Sequence, residues 1–142
     1  MPITLFPILG FGYVPLKSPP AVPLGGSVVG ITPFAIFDEV ITGFGRLGTW
    51  FAANYYNVVP DLLCFAKGVT SGYQPLGGVF VGRTALNALE RDPDFFLRHG
   101  YTYSGHSAVC AAALKNLEII ERDGLIERAK HVGKRLSDGL HS

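Results

Sequence analysis

Short apolar runs that end in charged residues alternate along this chain with longer stretches in which apolar residues recur every three to four positions. The first run, Phe34-Ala35-Ile36-Phe37, ends in Asp38-Glu39. Its unbroken apolar character predicts a strand buried on both faces. Leu62-Leu63-Cys64-Phe65-Ala66 follows the turn signal Pro60-Asp61 and ends in Lys67-Gly68, and Gly78-Val79-Phe80-Val81 is a third expected strand. Thr84 is expected to cap a helix running to about Glu90, which Asp92-Pro93 stops. After a polar, aromatic loop, Ser107 opens a helix whose Val109, Ala113, Leu117 and Ile120 share a face. Asp123-Gly124 closes it ahead of a second amphipathic helix carrying Leu125, Ala129, Val132 and Leu136. Strands alternating with helices in this order predict an α/β domain, and the helix faces require a surface to cover.

Met1 to Pro33 is of another character. Its one charge is Lys17, and Pro7, Pro15, Pro19, Pro20 and Pro23 interrupt its apolar residues. No stretch there reaches the ~18 apolar residues of a membrane span, and no basic region precedes the apolar ones as in a secretory signal. Such proline content makes a poor sheet component. The chain therefore divides into an atypical segment, 1–33, and an α/β segment, 34–142.

Composition narrows the function classes. With 142 residues, 48% hydrophobic and 16% charged, the chain is long enough for one core and too apolar for general disorder. A net charge of +1 without a like-charged run gives no basis for nucleic-acid binding. Cys64 and Cys110 lack the close spacing and His partners of a zinc site, so no metal site is expected. They read as two buried thiols in a reducing cytoplasm.

The chemistry concentrates at the strand ends. In open α/β sheets, ligands gather at the carboxyl ends of the strands, where side chains project into a crevice, and Asp38 and Lys67 both hold that kind of position. An amine that directly follows an apolar run is placed beside low-dielectric surroundings, where a neutral, nucleophilic lysine is easier to reach. Such an amine forms Schiff bases with carbonyls, and pyridoxal 5'-phosphate (PLP) is the commonest aldehyde cofactor held that way. PLP draws electrons only while its ring nitrogen is protonated, and a carboxylate bonded to that N–H keeps the proton in place. Asp38 is the candidate, through a charge-assisted bond of ~1.5–3 kcal/mol. Spacing alone leaves Asp38 equally readable as a turn or cap residue.

Three ordered segments then identify a family. Phe37-Asp38-Glu39-Val40-Ile41-Thr42-Gly43-Phe44-Gly45-Arg46 resembles the aspartate-bearing signature of class III PLP-dependent aminotransferases. Ala66-Lys67-Gly68-Val69-Thr70-Ser71-Gly72-Tyr73-Gln74-Pro75-Leu76-Gly77-Gly78 is similar to the lysine segment of that family. His99-Gly100-Tyr101-Thr102-Tyr103-Ser104-Gly105-His106, ahead of an alanine-rich helix, is similar to its loop that crosses the dimer interface.

The resemblance implies a fold and a set of roles. The fold would be the later part of the large PLP-binding domain of fold type I aminotransferases, three-layered around a mainly parallel sheet. Lys67 would form the internal aldimine and then shuttle the proton between substrate and cofactor carbons. Asp38 would bind the pyridine nitrogen, Val40 would pack on the ring, and Thr102 would reach the phosphate of PLP in the neighbouring subunit of a homodimer. Read without the family, Val40 is an ordinary core residue and Thr102 a turn hydroxyl. The implied reaction passes an amino group from an amine or omega-amino acid to a keto acid such as pyruvate, in ping-pong fashion. Ile41 stands where many relatives carry Gln. That difference and the Tyr-Thr-Tyr-Ser-Gly-His loop favour the omega-transaminase branch, in a cytoplasmic protein.

The family's phosphate-binding turn, its ring-stacking aromatic and its C-terminal domain have no counterpart in this sequence. The expectation is therefore a partial gene product, or a misread gene start joined to a family segment near Phe34. Two other readings stay open: an inactive truncated fragment serving as an interaction module, and a related PLP enzyme such as an aminomutase or decarboxylase.

Overall fold

The computed structural model describes residues 34–98 and 100–141. The atypical segment 1–33 and His99 of the third motif lie outside the described residues. The element order is β1 (Ile36–Asp38), α1 (Ala52–Tyr55), β2 (Leu62–Phe65), a 3-10 turn (Lys67–Val69), β3 (Gly78–Val81), α2 (Arg83–Leu89), α3 (Ser107–Arg122) and α4 (Leu125–Leu140).

The three strands form one sheet in the order β1-β2-β3. β1 pairs parallel with β2, Asp38 opposite Cys64, whereas β3 pairs antiparallel with β2, Leu63 opposite Phe80. The α/β class expected from the sequence is present, and the three described strands form a mixed sheet. Asp61 ties the strand ends together: its carboxylate accepts from the Ala35 amide at 2.8 Å. Its own amide donates to Ala35 O at 2.9 Å, and its carbonyl accepts from Gly82 N at 2.7 Å. The Pro60-Asp61 turn signal is thus a junction for all three strands.

Side chains alternate across a strand. Phe37, Leu63, Phe65 and Phe80 consequently share one face, which packs with Phe44, Trp50, Phe51 and Ala53 into the core. Ring centroids lie 5.2 Å apart for Phe44–Phe51, 5.6 Å for Phe51–Phe80 and 4.6 Å for Phe65–Phe80. Aromatic pairs at such separations contribute ~0.5–1.5 kcal/mol each beyond the area they bury. Ile36, Asp38, Cys64 and Val79 take the opposite face. That face is open, with Ile36 60% exposed. A strand buried on both faces was expected for Phe34–Phe37; the strand instead spans Ile36–Asp38 and is covered on one side only by the described residues.

The helices depart from expectation mainly at their ends. α1 was not expected, because four residues are too few to carry a helical period. α2 starts at Arg83 with Gly82 as its extended N-cap, so Thr84 is inside the first turn and does not cap it. α3 runs from Ser107 and buries Ala113 and Ile120 on the predicted face. Gly124, at φ 60°, takes the left-handed conformation that ends α3 and starts α4, a geometry glycine adopts without a Cβ penalty. On α4 the anticipated apolar face is uncovered by described residues: Val132 is 50% and Leu136 64% exposed. Cys64 and Cys110 are free and half-buried, where two buried thiols were expected. Among the described residues, no helix is long and apolar enough to cross a membrane, and no cluster of His, Cys, Asp and Glu could hold a metal ion.

Candidate functional site

The parallel β1–β2 pair brings Asp38 and Lys67 to the same edge of the sheet. Asp38 ends β1 and stands opposite Cys64, and β2 continues past Cys64 for one residue before the chain turns at Lys67. The Glu39 amide donates to Cys64 O at 2.9 Å and so extends the strand pairing to the point where the two chains part. Both Asp38 and Lys67 are exposed. The apolar surroundings expected around the Lys67 amine are therefore not supplied by described residues, because the preceding run turns its aromatic side chains to the other face of the sheet.

Asp38 is oriented from below. Its Oδ1 accepts from the Val40 amide at 3.0 Å, a local turn bond that fixes the carboxylate relative to its own backbone. The second oxygen has no protein partner among the described residues. Val40 is half-buried next to it, and Thr42, Gly43 and Phe44 fold back beneath.

Glu39, which the sequence reading passed over, is what holds this loop. It is 1% exposed. Its Oε2 accepts from the Thr42 hydroxyl at 2.5 Å and the Ala52 amide at 2.8 Å, and its Oε1 accepts from the Ala53 amide at 2.7 Å. The carboxylate thereby satisfies amides at the start of α1, which have no partner within the helix, and suits the positive end of the helix dipole. The two acids of Asp38-Glu39 thus divide their tasks, one facing out and one anchoring the strand end inside. A signal was available: successive residues of a strand point to opposite faces, so one of two adjacent carboxylates at a one-sided sheet must point toward the core.

Lys67 has φ 47°, in the left-handed region, as do Ser71 at 52° and Phe44 at 58°. Gly68 follows because no side chain fits: a Cβ there would meet the Cβ and ring of Phe44 at 3.0 Å. Lys67 makes no side-chain hydrogen bond or ion pair among the described residues, so its amine is not committed to a structural contact. Thr70 is 1% exposed and its hydroxyl donates to Gln74 O at 2.5 Å, which closes the loop after the turn.

Asn116 of α3 also touches this turn and was not singled out from sequence. Its Nδ2 donates to Gly68 O at 2.9 Å and Val69 O at 3.1 Å, and its Oδ1 accepts from the Ser71 hydroxyl at 2.7 Å. The legible signal was its place: 116 falls three residues after Ala113 and four before Ile120, so a polar residue interrupts the apolar face of α3.

Thr102 lies apart from these groups in the exposed turn that precedes α3, closed by Ser104 N to Tyr101 O at 2.9 Å and Tyr101 N to Ser104 Oγ at 2.8 Å. No hydrogen bond joins Thr102 to the Asp38–Lys67 edge among the described residues. The structure places Asp38, Val40 and Lys67 at one edge of the sheet and Thr102 in the exposed turn before α3.

An aldehyde cofactor with a basic ring nitrogen needs an uncommitted amine, an acceptor oxygen for the ring N–H, and an open approach between them. Lys67, the second oxygen of Asp38 and the uncovered sheet face are of that kind, so the residues present fit such a group.

Comparison with known proteins places the chain in a context. The family model for aminotransferase class III matches residues 33–142. Diaminobutyrate–2-oxoglutarate transaminase of Halomonas elongata is 49% identical over 107 residues, which is 74% of this chain and 23% of that protein. Putrescine–pyruvate aminotransferase of Pseudomonas aeruginosa is 48% identical over 95 residues, 67% of this chain and 20% of that protein. The crystal structure of an amine transaminase from an uncultivated Pseudomonas species, in its PLP-bound form, superposes with a TM-score of 0.66 at 46% identity, covering 71% of this chain and 23% of that one. The chain spans between a fifth and a quarter of the length of the relatives it matches.

Proposed function

The chain belongs to the class III aminotransferase family, and on that premise we propose that its protein is a PLP-dependent transaminase, moving an amino group from an amine or omega-amino acid to a keto acid such as pyruvate. The observation that carries the reading is the placement of Asp38 and Lys67 at the carboxyl ends of two neighbouring parallel strands, each with polar atoms left uncommitted by the protein. PLP, when bound, supplies an electron-accepting ring that makes a proton on the amine-bearing carbon labile.

Every other part of the task falls to side chains. Lys67 Nζ would hold the cofactor through its aldehyde carbon and, when free, would be the base that takes and returns the labile proton. Asp38 would accept the ring N–H with the oxygen that Val40 leaves free, while the Val40 amide holds the other at 3.0 Å. The Val40 side chain packs on the ring. Thr102 would donate its hydroxyl to the cofactor phosphate of a second copy, an assignment supported by its lying in an exposed turn with no hydrogen bond to its own chain's Asp38–Lys67 edge among the described residues. A homodimer is part of this reading.

The amine or omega-amino acid donor is supported by relatives whose names join diaminobutyrate to 2-oxoglutarate and putrescine to pyruvate. Ile41 is 69% exposed beside the site, and an apolar side chain there suits the carbon chain of an amine better than a second carboxylate. Free, half-buried Cys64 and Cys110 suit a reducing compartment such as the cytoplasm.

The test uses the intact protein with added PLP. Covalent attachment is read as a visible absorbance band, fixed with borohydride and located by peptide mass spectrometry, and transfer is read as alanine formed from pyruvate and putrescine. Attachment at Lys67 and alanine formation are expected, both lost in Lys67→Ala. A colourless protein whose Lys67 stays unmodified refutes the reading.

A further inference from the structure

The backbone at Lys67 is in a conformation that a lysine does not choose. A residue with a side chain pays a steric penalty at φ 47°, and such a conformation persists only where the surroundings impose it. The turn's own hydrogen bonds are long: Val69 N to Ala66 O is 3.4 Å, and Thr70 N to Lys67 O and Ser71 N to Gly68 O are each 3.3 Å. Left to these bonds, the turn is weakly held, since N–H···O bonds are strongest near 2.9 Å. Phe44 blocks one side through its contact with Gly68. The other side is held by α3.

Asn116 supplies that hold with a single side chain. Its two N–H groups donate to the consecutive carbonyls of Gly68 and Val69, and its carbonyl accepts from Ser71, so its bonds bracket the segment between the two left-handed residues Lys67 and Ser71. An amide is the group suited to this contact, because it offers two donors and an acceptor in one plane. An aliphatic side chain would leave both carbonyls unmet, and a carboxylate would face them with like charge. We propose that Asn116 is a positioning residue for Lys67: it fixes the turn in which the lysine leaves β2, and so directs the amine to the open sheet face that holds Asp38. The proposal rests on the reading of Lys67 as the cofactor anchor.

Asn116→Asp in the intact protein keeps the size and the acceptor for Ser71 but loses both donors, and Ser71→Ala removes only the third bond from the exposed side. Three quantities are measured: amide hydrogen exchange at Val69, Thr70 and Ser71 without cofactor, the rate of PLP attachment at Lys67 by borohydride trapping, and the thermal midpoint. Exchange at those amides should quicken roughly tenfold in Asn116→Asp, while amides within β2 stay as they are. Attachment should slow by about the same factor per folded molecule, with Ser71→Ala between it and the unsubstituted protein. A purely structural tie would lower the midpoint and leave attachment by the folded fraction untouched, and that result overturns the proposal. Unchanged exchange at the three amides overturns it as well. Should Asn116→Asp not fold, Ser71→Ala decides by the same two readouts. Failure of the unsubstituted protein to take PLP at Lys67 refutes the anchor reading itself and this proposal with it, whereas attachment that proceeds equally in all variants refutes the proposal alone.

Discussion

Glu39 and Ala53 are joined by a 2.7 Å hydrogen bond, from the Ala53 amide to the Glu39 carboxylate, in the interior of the protein. A buried acid therefore ties the end of β1 to the start of α1, one residue from the exposed Asp38. The same carboxylate receives the Ala52 amide and the Thr42 hydroxyl, so its removal strands three donors at once.

Glu39→Ala is expected to destabilise the protein by about 3 kcal/mol, because buried donors left without an acceptor each cost ~1–3 kcal/mol. Glu39→Gln retains one acceptor oxygen but turns an NH2 toward an amide, and should cost roughly half as much. Urea unfolding followed by circular dichroism measures both. A midpoint for Glu39→Ala equal to that of the unsubstituted protein would contradict the role assigned to this side chain.

Lys67 illustrates the opposite case, a residue kept at a backbone position that does not suit it. Asn tolerates the left-handed region better than Lys, so Lys67→Asn should stabilise the cofactor-free protein by about 1 kcal/mol while abolishing covalent PLP attachment. The two effects are read separately, by unfolding without PLP and by borohydride trapping with it. A loss of stability on this substitution would mean that the turn is not strained at Lys67.

Gly68→Ala brings a methyl group to 3.0 Å from Phe44, whose ring lies 5.2 Å from Phe51 and 5.9 Å from Phe65. Phe44 cannot retreat without disturbing that cluster, so a cost of ~1–3 kcal/mol is expected, with a change in near-ultraviolet circular dichroism from the aromatic core. An unchanged spectrum together with unchanged stability would show that Phe44 has room to move.

Acid should weaken α3 and its junction with α4. The Arg122 guanidinium bonded to Asp123 holds that carboxyl below its ordinary value, and Lys115 does the same for Glu118. Both groups favour the folded state above the unfolded carboxylate range, and the benefit disappears as pH falls through their lowered folded values. Replacing them, as Asp123→Asn with Glu118→Gln, should lower stability slightly at neutral pH and leave it unchanged below both lowered values, which flattens the profile on the acid side. Because both pairs are exposed, added salt should shrink the difference. Unfolding midpoints measured from neutral to acid pH in both proteins check this.

Much of this molecule is legible one residue at a time. The apolar runs around Phe37, Leu63 and Phe80, the stop at Gly124 and the buried face of α3 through Ala113 and Ile120 are local patterns, governed by the pitch of strand and helix. The places of Asp38 and Lys67 are equally local, since each directly follows a short apolar run. The direction of β3, the single-sided cover of β1 and the distribution of work between Asp38 and Glu39 depended on which segments meet across gaps in sequence. So did the tie from Asn116 to a turn 48 residues earlier, a contact that neither segment announces. Spacing along a chain encodes periodicity, whereas a hydrogen bond between distant segments exists only once packing has set their distance, and this is why the strand ends that carry Asp38 and Lys67 could be read from the sequence and the side chains that hold the adjoining loops could not.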